Sequence, residues 1–210
     1  FQSAPANLRR SFDALIADKI RNFVGRRFVF DALDEFLNKQ DSGYFVVQGV
    51  PGIGKSAFMA KLVNDRGYVH HFNIASQNIR STRVFLENIC SQIIACYDLG
   101  YKEFPQNATE DSGFLVQCLS EAAAKRKDKN QKIVVAIDSL DEADRLGLAS
   151  VVNNLFLPHS LPDGVYIVLT TRPLTDIRLE VAHKQVFDLE ANSMGNLQNI
   201  TEYIATFMQR

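Results

Sequence analysis

Eight consecutive residues, Gly49-Val50-Pro51-Gly52-Ile53-Gly54-Lys55-Ser56, constrain this chain more than any other feature. They match G-x-x-x-x-G-K-[S/T] at every position. Such a loop requires an apolar strand before it and a helix after it. Tyr44–Gln48 reads as the strand and Lys55–Asn64 as the helix. Gly49, Gly52 and Gly54 permit a tight turn and close backbone approach to a ligand. Successive N–H groups then face inward at a helix N-terminus and form a nest for an anion. In that reading Lys55 brings an ammonium to the β- and γ-phosphates of a nucleotide, and Ser56 offers a hydroxyl to Mg2+. Pro51, Ile53 and Ala57 complete the expected phosphate-binding stretch. The alternatives are a glycine-rich turn that binds nothing and a loop that binds nucleotide without hydrolysing it.

A second apolar run, Lys132–Ile137, is followed by Asp138, which is the Walker B pattern. A carboxylate there can hold Mg2+, directly or through its water. Asp141 and Glu142 follow. Either could position an attacking water as a general base. Alternatively, Asp141 caps the next helix, with Glu142 in its first turn. A third run, Gly164–Thr170, ends in Thr171-Arg172-Pro173. In a five-stranded sheet it could lie between the strands carrying the phosphate loop and Asp138. Arg172 could then reach the γ-phosphate; otherwise it is a surface arginine before a helix-stopping proline. Val24-Gly25-Arg26 reads either as an adenine-side loop or as a helix–helix turn.

Tyr68–Phe72 and Gln185–Leu189 complete five strands. Helical spacing covers Leu8–Phe23, Phe28–Leu37, Ser81–Tyr97, Ser112–Ala124, Ala143–Leu155 and Asn196–Met208. Strands alternating with helices predict an α/β fold: a five-stranded, mainly parallel sheet with helices on both faces, the three-layer P-loop NTPase sandwich. Residues 1–42 read as a helical approach segment and 43–210 as the nucleotide-binding core. Charge excludes little else: 23 Lys+Arg against 24 Asp+Glu leave a net −1, which does not favour nucleic acid. Lys125–Lys132 reads as a solvated basic loop. Ile133–Ile137 and Val165–Leu169, the longest apolar runs, fall far short of the roughly 20 residues of a membrane span. Cys90, Cys96 and Cys118 fit no zinc spacing and read as reduced thiols, which predicts a cytoplasmic setting. His70 and His71 point to opposite faces of a strand and read as structural. The chain opens without Met and reads as a piece of a longer protein.

The loop GVPGIGKS, the strand IVVAIDSLDEAD and the strand IVLTTRP, in this order, resemble the STAND class of signalling ATPases. Asp138-x-x-Asp141-Glu142 is similar to the NACHT type. Phe23-Val24-Gly25-Arg26-Arg27 resembles the adenine-side motif of the class, with Arg27 where an acidic residue is common. The resemblance implies an ATP/ADP-governed switch with slow Mg2+-dependent hydrolysis and self-association in the ATP state. It places Val24 and Arg26 beside adenine, Gly52–Ser56 on the phosphates, Asp138 at Mg2+, and Arg172 as a sensor. Helical and winged-helix domains are expected beyond Arg210, as parts of the same parent chain. Two rival readings are a DNA-loader type AAA+ ATPase and a scaffold that binds nucleotide without turnover. No Asn-Lys-x-Asp guanine motif is present.

Overall fold

The computed structural model describes residues 6–21, 23–126, 128, 131–144, 153–173 and 178–189. Five strands form one sheet: β1 (Gly43–Gln48), β2 (Val69–Phe72), β3 (Ile133–Asp138), β4 (Val165–Thr171) and β5 (Lys184–Asp188). Their spatial order is β2-β3-β4-β1-β5, and every pairing is parallel. β4 therefore lies between the strands that carry the glycine loop and Asp138. Val46 sits opposite Leu169, and Ile167 opposite Val135. Every residue of β3 and β4 is buried. Strands covered on both faces need apolar side chains in both directions, which accounts for the continuous apolar runs.

Alternate residues of each strand enter two cores. Tyr44, Val46, Val135, Ile137, Ile167 and Leu169 pack with α4 (Thr82–Tyr97) and α5 (Gly113–Ala124). Phe45, Val47, Val134, Ala136, Tyr166 and Val168 pack with α1 (Ala6–Ile20), α2 (Arg27–Lys39) and α3 (Lys55–Arg66). The result is the three-layer α/β sandwich of the P-loop type. α2 buries Val29, Leu33, Phe36 and Leu37, a stripe at helical spacing. α1 buries Leu8, Phe12 and Ile16, also on one face. The Phe12 ring stands 5.4 Å from those of both His71 and Phe72, which ties α1 to the β2 edge.

Three expectations change. α1 ends at Ile20 rather than Phe23, because the chain passes through a tight turn (Phe23 N–H to Ile20 C=O, 3.1 Å) and then left-handed Gly25 and Arg26. Ala143–Leu155 is not helical at its described ends; residues 145–152 lie outside the described set. Leu140–Glu142 is one 3-10 turn, Ala143 is extended, and Asn154–Phe156 is a 3-10 turn with Leu155 left-handed. The Asp144 N–H donates instead to the Arg80 carbonyl at 2.9 Å, across to a neighbouring segment. Asp141 consequently caps no α-helix here. The expected helix Asn196–Met208 lies outside the described residues. Cys90 and Cys118 are buried and Cys96 is exposed, all as free thiols. Among the described residues no helix is long and apolar enough to cross a membrane, and no group of three His, Cys, Asp or Glu side chains could hold a metal.

Candidate functional site

The site lies at the carboxyl ends of β1, β3 and β4, where open α/β sheets place their ligands. After Gln48 the chain turns through residues 49–54 into α3. Gly52 (φ 82°) and Gly54 (φ 96°) are left-handed, which only glycine tolerates without strain. No side chain caps α3. Its first-turn N–H groups therefore have no partner within the helix, and Lys55, Ser56 and Ala57 line a cavity of about 270 Å3. Pro51, Gly52 and Gly54 line it too. Ser139, Asp141, Glu142 and Arg172 form the wall from β3 and β4, and Lys19 of α1 completes it.

Asp138 lies beneath this cavity, 2% exposed. Thr170 Oγ1 donates to its Oδ1 at 2.5 Å, and Ser139 Oγ to its Oδ2 at 3.0 Å. The Ser56 hydroxyl also bonds the carboxyl group. Burial pushes the Asp138 pKa up, the three hydroxyls pull it down, and the Glu142 charge adds to the rise. Its backbone carbonyl accepts from Asn73 N (3.2 Å) and Asn73 Nδ2 (2.9 Å), so the end of β2 fixes the end of β3.

Lys55, Arg172, Asp141 and Glu142 are paired within the protein. Lys55 Nζ donates to the carbonyls of Gly49 (2.5 Å) and Val50 (3.0 Å). Arg172 donates to both oxygens of Asp141: N to Oδ1 at 3.0 Å and Nε to Oδ2 at 2.9 Å. Glu142 Oε2 accepts from the Ala75 N–H at 3.1 Å. A glycine turn, an uncapped helix start, an ammonium and a hydroxyl–carboxylate pair together match the chemistry of a phosphate chain with a divalent cation.

Not all predicted residues line this cavity. Gly49 closes the loop from behind, its N–H donating to Thr171 O at 3.3 Å. Ile53 gives its carbonyl to the Arg26 guanidinium, which lies against Gly54: a Cβ there would stand 3.0 Å from Arg26 Nη2. Burial lowers the Arg26 pKa. Arg26 thus braces the back of the loop, and Val24 and Gly25 do not line the cavity. Three residues escaped sequence reasoning. Thr170 and Ser139 had a faint signal, polar residues at the ends of apolar strands. Lys19 had none, since a lysine in the last turn of an amphipathic helix is ordinary.

A family model described as Nephrocystin 3, N-terminal, matches residues 34–172, from within α2 to Arg172. The human NACHT domain- and WD repeat-containing protein 1 is 26% identical over 166 residues, covering 73% of this chain. The chain spans only 10% of that relative's length. The name of that relative carries a NACHT domain, and the span of the family model includes the glycine loop, Asp138 and Arg172. Since the family model takes in well over half of its residues, the chain belongs to the nephrocystin 3 N-terminal family.

Proposed function

We propose that this chain is the ATP/ADP-binding switch domain of a multidomain NACHT-type ATPase, with residues 1–42 as its approach segment and 43–210 as its core. The observation that carries the reading is the meeting of the glycine loop, Lys55 and the Ser56–Asp138 pair at the carboxyl edge of an all-parallel sheet. The N–H groups of Gly52–Ala57 bind the phosphates, and Lys55 leaves the loop carbonyls to bridge them. Ser56 and Asp138 hold Mg2+, which when bound neutralises charge on the β- and γ-phosphates. Arg172 transfers from Asp141 to the terminal phosphate. Asp141, once released, or Glu142 then orients a water. Gly25 and Val24 face the base side, with Arg26 supporting the loop.

In the present arrangement Lys55, Arg172 and Glu142 all have partners within the protein. In this reading Lys55 and Arg172 must leave their partners for hydrolysis, which supports slow turnover and a nucleotide-dependent change of state. Joining to further domains of a parent chain draws support from the human relative, whose name combines a NACHT domain with WD repeats. Self-association in the ATP state, and action in the cytoplasm away from membrane and nucleic acid, belong to the same reading.

Titration calorimetry of ADP and ATP–Mg2+ tests this. Saturable binding of both is expected; a folded chain that binds neither overturns the reading. Turnover separates the two acids. The base, replaced by its amide (Glu142→Gln or Asp141→Asn), should lose about 100-fold in rate. If neither amide lowers the rate, the domain is a nucleotide-bound scaffold, a second reading favoured by the paired state of Lys55, Arg172 and Glu142.

A further inference from the structure

α1 reaches the nucleotide cavity as well as the sheet. Its buried stripe, Leu8, Phe12 and Ile16, packs into the same core as Phe58, Met59 and Leu62 of α3. The carboxyl end of α1 therefore meets the amino end of α3, and Lys19 lines the cavity beside Lys55 and Ser56. Three cations line that cavity. Lys55 is held by loop carbonyls and Arg172 by Asp141. Lys19 is exposed and has no hydrogen bond or ion pair to a described residue. Four to seven residues on, Phe23–Arg26 returns to the same loop, and Arg26 bonds the carbonyl of Ile53. The end of α1 and the connection that follows it thus reach the site from two sides, Lys19 at the cavity and Arg26 behind the loop.

We propose that Lys19 is a further nucleotide-binding residue that recognises the third phosphate, so that α1 distinguishes a nucleoside triphosphate from a diphosphate. This rests on the nucleotide reading above and deepens it. The backbone nest holds the diphosphate part, and Lys55 spans the β- and γ-phosphates. A third phosphate adds charge beyond that nest, toward the cavity walls. Arg172 reaches it only by giving up Asp141, whereas Lys19 gives up no partner. An ammonium contributed by another element makes triphosphate affinity depend on where α1 is docked, and draws α1 onto the loop when the third phosphate is present.

The test compares Mg2+ complexes of ADP and of the β,γ-imido analogue of ATP by calorimetry, in wild type, Lys19→Ala, Lys19→Glu, Lys19→Arg and Lys55→Ala. Hydrogen exchange across α1 is followed in parallel. Lys19 is at the surface, so its variants retain the fold. Lys19→Ala should weaken the triphosphate analogue about tenfold and ADP less than about twofold. Lys19→Glu should weaken the analogue further, and Lys19→Arg should stay near wild type. Exchange in α1 should slow with the analogue more than with ADP, and this difference should vanish in Lys19→Ala. Unchanged analogue affinity in both Lys19→Ala and Lys19→Glu, with binding lost in Lys55→Ala, overturns the role of Lys19 and leaves the nucleotide reading intact. Equal losses for both nucleotides overturn the recognition of a third phosphate. A wild type that binds neither removes the nucleotide reading and this inference together.

Discussion

Lys55→Ala should weaken ADP and ATP–Mg2+ by about 100-fold or more while leaving the fold intact. The ammonium is the one cation placed by the loop itself, and its present partners are the carbonyls of Gly49 and Val50. Charge-assisted hydrogen bonds contribute about 1.5–3 kcal/mol each. Two bonds to phosphate oxygens amount to about 3 kcal/mol or more, and each 1.4 kcal/mol is about tenfold in affinity. Stability should hardly change. Lys55 is the first residue of α3, alanine is a good helix former, and the freed carbonyls can take water. Asp138→Ala should act differently. It removes the carboxylate beneath the cavity, so only the Mg2+-dependent part of the affinity should fall. Calorimetry with and without Mg2+ separates the two. An alanine variant at 55 with wild-type affinity would show that the loop does not hold phosphate.

Acidification from pH 7 to pH 5 should cost about 2 kcal/mol of stability through His71 alone. The imidazole is fully buried between the rings of Phe12 and Phe85. Burial, reinforced by the nearby His70, pushes its pKa down to about 3, and Asn73 opposes the shift only in part. The unfolded chain takes up its proton near pH 6.5, well above the folded one. Below pH 6.5 the unfolded state therefore binds more protons, and stability falls continuously as the pH drops toward about 3. The hydrogen bonds assign the neutral tautomer. Asn88 Nδ2 donates to His71 Nδ1 at 3.2 Å and to the His70 carbonyl at 2.8 Å, so the proton is on Nε2. That nitrogen and Asn73 Oδ1 are both buried and neither makes a hydrogen bond among the described residues. The melting temperature should drop by roughly 4–8 °C between pH 7 and pH 5. His71→Leu should be less stable at pH 7 by about 1–3 kcal/mol, because the buried Asn88 amide loses the ring nitrogen that accepts from it. Its pH dependence should nevertheless be flatter. Parallel pH curves for wild type and variant would sink the assignment. The consequence reaches the site, since Asn73 holds the backbone of Asp138.

What was legible in the sequence was local. The order of the loop, of Asp138 and of Arg172 along three apolar strands could be read directly, whereas the position of β4 between β1 and β3 was one possibility that the strand order settles. Helix ends were less legible. The run after Glu142 has helical spacing, yet Asp144 bonds to Arg80 and Ala143 is extended, because the β2–α4 connection supplies a partner that no local pattern encodes. Asp141 offered a helix cap or a base; the fold rules out the cap and sets it against Arg172 from the neighbouring strand. Arg26 was expected beside a base and stands behind the phosphate loop, because Gly25 and Arg26 both turn left-handed there.

The amino-acid sequence by itself determined the sheet, its two apolar faces and the glycine turn. These depend on residues within a few positions of one another, through side-chain periodicity and backbone freedom. Tertiary structure alone decided which charges meet. Asp138 and Thr170, Arg172 and Asp141, and Glu142 and Ala75 are joined by strand order and loop docking. Lys19 reaches the cavity only because burying Leu8, Phe12 and Ile16 aligns one helix against another. Apolar burial is non-directional, so it can bring together side chains that are distant in sequence. The chemistry those side chains then share is set by the geometry of packing.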